Sequence, residues 1–201
     1  MIKCVISDMG NVILTFDIWR FYRGISESSP YSPEQISRKV RENLKLLRPY
    51  GTGKISPQEF FEAIAQKLRL DTDCESFFEA YNGVFELNSD VVASLRKLKP
   101  KYRLVLLSNT DVKHFEFIRG EFPEMFFFDD YVLSYEVGLM KPDPRIYEIA
   151  LGKAKARAEE CVFIDDLEEN IEAAANMGIH TILFGPHTDL EAELRQLNIS
   201  F

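Results

Sequence analysis

Long apolar runs are missing from these 201 residues. None approaches the roughly 18 consecutive residues that a helical membrane span needs, so no membrane partner is expected. Positive charge is also scarce. Lys and Arg number 24 against 32 Asp and Glu, for a net charge of −8. That balance argues against a nucleic-acid partner, whose phosphates are neutralised by clustered cations. A small anion is not excluded, because the local field of a site can oppose the net charge. The three cysteines, Cys4, Cys74 and Cys161, are odd in number, far apart and without metal-ligand spacing. They point to reduced core residues in a reducing compartment. The three histidines, His114, His180 and His187, are scattered and receive no catalytic role. The opening MIKCVISD has neither the apolar length nor the cleavage site of a signal peptide, so the expected location is cytoplasmic. Repeats, low-complexity segments and long flexible linkers are absent.

The chain has 46% hydrophobic and 28% charged residues, enough for a sizeable core under an ordinary polar surface. Five short runs rich in branched aliphatics predict buried strands: Ile2–Ile6, Arg103–Leu107, Tyr131–Leu133, Val162–Ile164 and Thr181–Phe184. Helical patterns lie between the later ones. Val91, Val92, Leu95 and Leu98 form a stripe behind Ser89, a candidate N-cap. Ile146, Ile149 and Ala150 follow Pro142 and Pro144, which suit a helix start. Ile171, Ala174, Ala175 and Met177 precede Gly178, a candidate stop. The alternation predicts an α/β fold, a Rossmann-like parallel sheet with helices on both faces.

Residues 16–87 break the alternation. They carry helix-like stretches at Ile18–Ile25, Pro33–Leu47, Pro57–Leu68 and Ser76–Val84, and no convincing strand. Ser56, Pro57 and Glu59 read as a capped helix start. The expected organisation is a core of residues 1–15 and 88–201, with a small all-helical cap, 16–87, inserted after the first strand. Within the cap, the loop Tyr50–Lys54 with its two glycines reads either as a lid feature or as a simple helix–helix turn.

Four polar clusters fall at or just after strand ends: Asp8 in DMGNV, Ser108-Asn109-Thr110, Lys141 in GLMKPDP, and Asp165-Asp166. Such positions converge on one crevice of a parallel sheet. A nucleophilic carboxylate, a hydroxyl–amide pair, a cation and a metal-binding carboxylate together are what phosphoryl transfer requires. Each has a blander reading as a turn, a helix cap or a solvated loop charge.

The order DxGNV, SNT, KPDPxIY, DDxxxN resembles the four motifs of the haloacid dehalogenase superfamily, and the helical insertion occupies the place of that family's C1-type cap. The resemblance implies a magnesium-dependent hydrolase in which Asp8 is the nucleophile. Mg²⁺ is then held by Asp8, the Gly10 carbonyl and Asp166. Ser108 and Asn109 bind phosphoryl oxygens, and Lys141 neutralises them. Asp165 braces Lys141, and Asn170 stands behind. The implied partner is a small phosphorylated substrate, with the protein a monomer or homodimer. The string Phe126–Phe128 reads as core or subunit contact.

The sequence departs from the family's phosphatases at Gly10, where those enzymes usually carry a second Asp that protonates the leaving oxygen. Glycine keeps a carbonyl for the metal but cannot transfer a proton. Three readings follow. One is a phosphatase, of a sugar phosphate for instance, in which water, the substrate, Asp17 or a cap group replaces the acid. Another is a metal-independent 2-haloacid dehalogenase. The last is an impaired relative that binds a phosphorylated ligand or a protein partner.

Overall fold

A computed structural model describes residues 1–42 and 47–201 of the chain. Among the described residues the strands are β1 (Cys4–Ser7), β2 (Leu14–Phe16), β3 (Phe85–Leu87), β4 (Arg103–Ser108), β5 (Asp130–Leu133), β6 (Cys161–Asp165) and β7 (His180–Leu183). Five of them form a parallel sheet in the order β5-β4-β1-β6-β7. Ile6 of β1 is in register with Val105 on one side and Phe163 on the other. The period of two sends Val5, Leu104, Leu106, Val162 and Ile164 to one face, and Cys4, Ile6, Val105, Leu107 and Phe163 to the other. Both faces are covered, which is why the central strands β1, β4 and β6 are apolar between their ends.

The helices are α1 (Ile18–Ser26), α2 (Pro33–Glu42), α3 (Leu47–Gly51), α4 (Pro57–Leu68), α5 (Cys74–Asn82), α6 (Ser89–Leu98), α7 (Val112–Glu121), α8 (Ser134–Val137), α9 (Pro144–Ala154), α10 (Glu168–Asn176) and α11 (Leu190–Gln196). Helices α6, α7 and α11 pack on the Val5 face, and α9 and α10 on the Ile6 face. The stripe Val91, Val92, Leu95 and Leu98 is buried as its spacing requires, each side chain contributing about 1.5–3 kcal/mol. The cap of α6 is Asn88 rather than Ser89, because the Asn88 side chain is the one that accepts from the Val91 amide, at 3.3 Å. Asp143 caps α9 with Pro144 in its first turn, and Gly178 takes the left-handed φ of +83° just past α10. Phe128 is buried in the core and Phe126 and Phe127 pack against it.

Helices α1 to α5 build a second core around Phe21, Ile36, Tyr50, Phe60 and Phe77. Tyr50 stacks on Phe60 at 4.1 Å. Replacing Phe60, which is 1% exposed, with Ala removes that stack at about 3–5 kcal/mol. Helix α4 starts with the full capping box: Ser56 accepts from Glu59 N–H at 3.2 Å and the Glu59 carboxylate accepts from Ser56 N–H at 2.7 Å. The expected helix Pro33–Leu47 is seen as α2 over Pro33–Glu42; residues 43–46 lie outside the described residues, and Leu47 belongs to α3.

The expectation of no strand in the insertion fails at its ends. β2 and β3 pair antiparallel, Leu14 with Leu87 and Phe16 with Phe85, across the boundaries read from the sequence. Each strand has three residues and finds its partner some 70 residues away, so neither leaves a periodic signal. Their pairing brings both connections of the helical unit out of the core side by side. The Tyr50–Lys54 segment is docked on the core. The Gly51 carbonyl accepts from the Ser134 hydroxyl at 2.6 Å. Gly53 has φ +66°, and a Cβ there would collide with the Tyr135 carbonyl, so a side chain is excluded twice over. Lys54 is exposed. No helix among the described residues is long and apolar enough to cross a membrane.

Candidate active site

The crevice forms where β1, β4 and β6 end side by side. Asp8 follows β1, and its main-chain N–H continues the ladder to the Ile164 carbonyl at 2.9 Å. Ser108 ends β4 and Asp165 ends β6. Lys141 arrives from beyond β5, after α8 and the left-handed Gly138. Its position is set by Asn109, whose side-chain oxygen accepts from the Lys141 N–H at 2.8 Å and whose amide donates to the Lys141 carbonyl at 3.0 Å. Both ends of the Asn109 side chain are thus tied to Lys141, which fixes its orientation and leaves one amide hydrogen and the main-chain N–H for a ligand.

The Lys141 ammonium is buried between two carboxylates, 2.9 Å from Asp8 Oδ1 and 2.6 Å from Asp165 Oδ2. Asp165 is fully buried, and its other oxygen accepts from Leu167 N–H and the Asn170 amide, both at 2.9 Å. Asp8 Oδ1 also accepts from Met9 N–H at 2.6 Å. Among the described residues Asp8 Oδ2 accepts no hydrogen bond, so one oxygen is held while the other keeps its lone pairs. Burial pushes the Asp8 carboxyl up to about 6; the Lys141 charge opposes this and the Asp165 charge adds to it.

Asp166 is partly exposed beside them, its Oδ2 accepting from the Asn11 amide at 2.9 Å. Asn11 has φ +50°, a conformation that asparagine tolerates better than most residues. Asp8, Asp165 and Asp166 each bring an oxygen within 4.8 Å of the others. With Lys141 the one ammonium paired to this group among the described residues, three carboxylates leave an excess of two negative charges. A hard, oxygen-seeking divalent cation matches both the charge and the donor set. Asp165 is the least available ligand, since both its oxygens are already engaged by protein donors.

A cavity of about 330 Å³ lies between the core and helices α1 to α5. Gly10, Ser108, Asn109 and Thr110 line it from the core, and mostly aromatic side chains line it from the insertion. The Ser108 hydroxyl makes no hydrogen bond among the described residues. A wider, open hollow of about 730 Å³ touches Asn11 and Asp166, but Asp90, Asp189 and Glu191 line it and repel an anion.

Sequence reasoning passed over three positioning groups. Asn11 orients Asp166. Ser134 accepts from Thr110 N–H at 2.9 Å and ties the turn after Ser108 to Gly51 of the insertion. His114 joins core to insertion: its Nδ1 is 3.1 Å from Asp111 Oδ2, its Nε2 3.2 Å from the Tyr81 carbonyl, and its ring stacks on Tyr81 at 4.0 Å. Only Asn11 had a local signal, as part of the DMGNV segment. Asp17, considered as a substitute acid, is the N-cap of α1 and pairs with Arg23 at 3.1 Å, so its carboxylate is occupied.

A parallel α/β sheet with a buried carboxylate–ammonium–carboxylate row at its strand ends, beside a helical insertion, is the arrangement of a Rossmann-like hydrolase. The family model of haloacid dehalogenase-like hydrolases matches residues 2–178, and the chain belongs to that family. It is 26% identical to the sesquiterpene phosphatase astK of Aspergillus oryzae, over 97% of this chain and 96% of that one. It is also 26% identical to the D-ribitol-5-phosphate phosphatase of Bacteroides thetaiotaomicron, over 90% and 91%. It spans 37% of the length of the drimenol cyclase drtB of Aspergillus calidoustus, matching it at 23% identity over 98% of its own length. Among solved structures, the haloacid dehalogenase family enzyme bt-2542 of Bacteroides thetaiotaomicron, in complex with magnesium and inorganic phosphate, aligns with TM-score 0.86 and 27% identity, over 97% of this chain and 100% of that one.

Proposed function

We propose that the protein is a magnesium-dependent phosphatase that hydrolyses a small phosphate monoester through an aspartyl-phosphate on Asp8. The observation that carries this reading is the state of Asp8: one oxygen is fixed by Met9 N–H and Lys141, and the other is free of protein donors. The free lone pairs attack phosphorus, the bond from phosphorus to the ester oxygen breaks, and that oxygen takes a proton from water and leaves as the alcohol. Water then hydrolyses the acyl phosphate and regenerates the carboxylate. Lys141 offsets the phosphoryl charge, held in line by Asp165, which Asn170 supports in turn. The Ser108 hydroxyl and the Asn109 main-chain N–H donate to phosphoryl oxygens. Residues 16–87 act as a cap on the core of 1–15 and 88–201, excluding bulk water from the crevice.

Asp8, Asp166 and the Gly10 carbonyl are the groups that would hold Mg²⁺. The ion would supply charge compensation for the phosphoryl group and for the excess carboxylates. The relatives named as phosphatases, and the magnesium and phosphate in the related structure, support the same assignment. The carboxylate group around Asp166 disfavours a metal-free dehalogenase.

The test is phosphate release from a broad panel of monoesters with magnesium, run beside Asp8→Asn. Hydrolysis by the native protein and none by the variant supports the reading. Equal activity in both removes Asp8 as nucleophile. Tight phosphate binding with no turnover of any ester favours a ligand-binding relative.

A further inference from the structure

The cavity under the insertion is more apolar than a sugar or polyol phosphate requires. Gly10, Ser108 and Asn109 open into it, so an alcohol esterified to a phosphoryl group at Asp8 projects into this space. Around that alcohol stand the rings of Phe21, Tyr22, Phe60, Phe77, Tyr81 and Phe85, together with Ile64 and Val84. The apolar lining continues outward to Phe16 and Ile18, which remain 45% and 36% exposed, a solvent contact that a greasy ligand would relieve.

Polar partners for several hydroxyl groups are few. The Tyr81 hydroxyl donates to Asp111 at 2.9 Å, and both ring nitrogens of His114 face protein acceptors. Thr110 and Tyr22 each contribute one hydroxyl, and Arg41, an exposed residue, contributes a cation. Each hydroxyl buried without a partner weakens binding by about tenfold. The size is also informative: 330 Å³ is roughly eleven times the 30 Å³ share of one water in the liquid, room for about ten non-hydrogen atoms.

Resting on the phosphatase reading of Asp8, we propose that the substrate is a monophosphate ester of an apolar alcohol of about this size, whose hydrocarbon part fills the aromatic cavity beneath α1, α4 and α5. The same chemistry describes a flexible alkyl chain and a fused aromatic ring, and the assay separates them.

Two measurements are made on the intact protein with magnesium. In the first, methyl-, butyl- and octylphosphonate, which cannot be hydrolysed, are titrated calorimetrically. Affinity is expected to rise roughly fourfold per added methylene until the cavity is full. In the second, kcat/KM is compared for octyl phosphate, 1-naphthyl phosphate, glucose 1-phosphate and glycerol 3-phosphate. At least one apolar ester is expected to exceed both polyol esters by about tenfold or more. Ile18→Ser and Phe16→Ser, at positions 36% and 45% exposed and with folding verified by thermal melts, should lower the octyl-to-methyl affinity ratio about threefold or more. A flat phosphonate series, an unchanged ratio in both variants, or a preference for the polyol esters overturns the proposal. If p-nitrophenyl phosphate is still hydrolysed in that case, the phosphatase reading stands. A rising series with no hydrolysis of any ester sustains the apolar cavity and refutes turnover instead.

Discussion

Gly10→Asp tests the proton inventory of the site. A Cβ built at Gly10 meets only the Phe16 ring, at 3.9 Å, an ordinary van der Waals contact, and the backbone there avoids the left-handed region. The new side chain would enter the cavity beside Ser108, where the leaving oxygen must emerge. Burial and the neighbouring Asp8 and Asp166 would raise its pKa, the direction an acid catalyst needs. A positioned acid–base group is worth about 10²–10⁴ in rate, or about 2.7–5.4 kcal/mol at 1.36 kcal/mol per tenfold. That gain applies to alkyl esters, whose alkoxides need a proton to depart. p-Nitrophenyl phosphate releases p-nitrophenolate, a stable anion, and should gain less than about tenfold. The assay is kcat across esters of graded leaving-group acidity, with thermal melts to verify folding. The variant's plot of log kcat against leaving-group pKa should be flatter than the native one. An equal change for all esters would mean that the carboxylate acts on the phosphoryl group or metal. No change, in a folded variant, would mean that another group already delivers the proton.

The remaining predictions concern the charged row and the joint between core and insertion. Asp8→Asn keeps the shape of the side chain but removes the nucleophile, and kcat should fall about 10⁴-fold or more in a phosphate-release assay. Stripping divalent ions with excess EDTA should abolish turnover and added magnesium restore it; full activity in chelator would contradict the carboxylate assignment. Asp165→Ala leaves the buried Lys141 ammonium with one partner in place of two, at a cost of about 3–5 kcal/mol, or roughly 6–20 °C in melting temperature. A shift of only a degree or two would show that the ammonium is satisfied elsewhere. For Asp111, burial raises the carboxyl, but the His114 charge and hydrogen bonds from His114 and Tyr81 outweigh it and hold the group below its ordinary 3.8. A depressed acid stabilises the fold above its unfolded pKa and loses that contribution as pH falls through the folded one. Urea midpoints should therefore drop on acidification below about pH 4, and less steeply in Asp111→Asn. Parallel slopes would refute the assignment to Asp111.

Much of the fold was legible locally. The five sheet strands and the helices between them follow from short apolar runs and periods of three to four residues, which any short window displays, although β7 proves largely exposed rather than buried. Asp8, Ser108, Lys141 and Asp165 could be brought to one crevice on paper, because in a parallel sheet the residues after the strands share one edge. The missing acid at Gly10 was visible from the sequence once its first motif was set beside that of the family it resembles. Tertiary structure decided the rest. The pairing of β2 with β3, the commitment of Asn109 to the Lys141 main chain, the hold of Asn11 on Asp166 and the tie from Ser134 to Gly51 all join residues between 32 and 155 positions apart. The cavity is the clearest case. Its rings sit on α1, α4, α5 and the β2–β3 strands, each apolar for its own packing reasons, and only their approach over Gly10 and Ser108 turns core residues into the wall of a binding site. Local periodicity is written within a few residues of chain. The polarity of an enclosed space depends on which distant side chains close around it, and that is determined by packing.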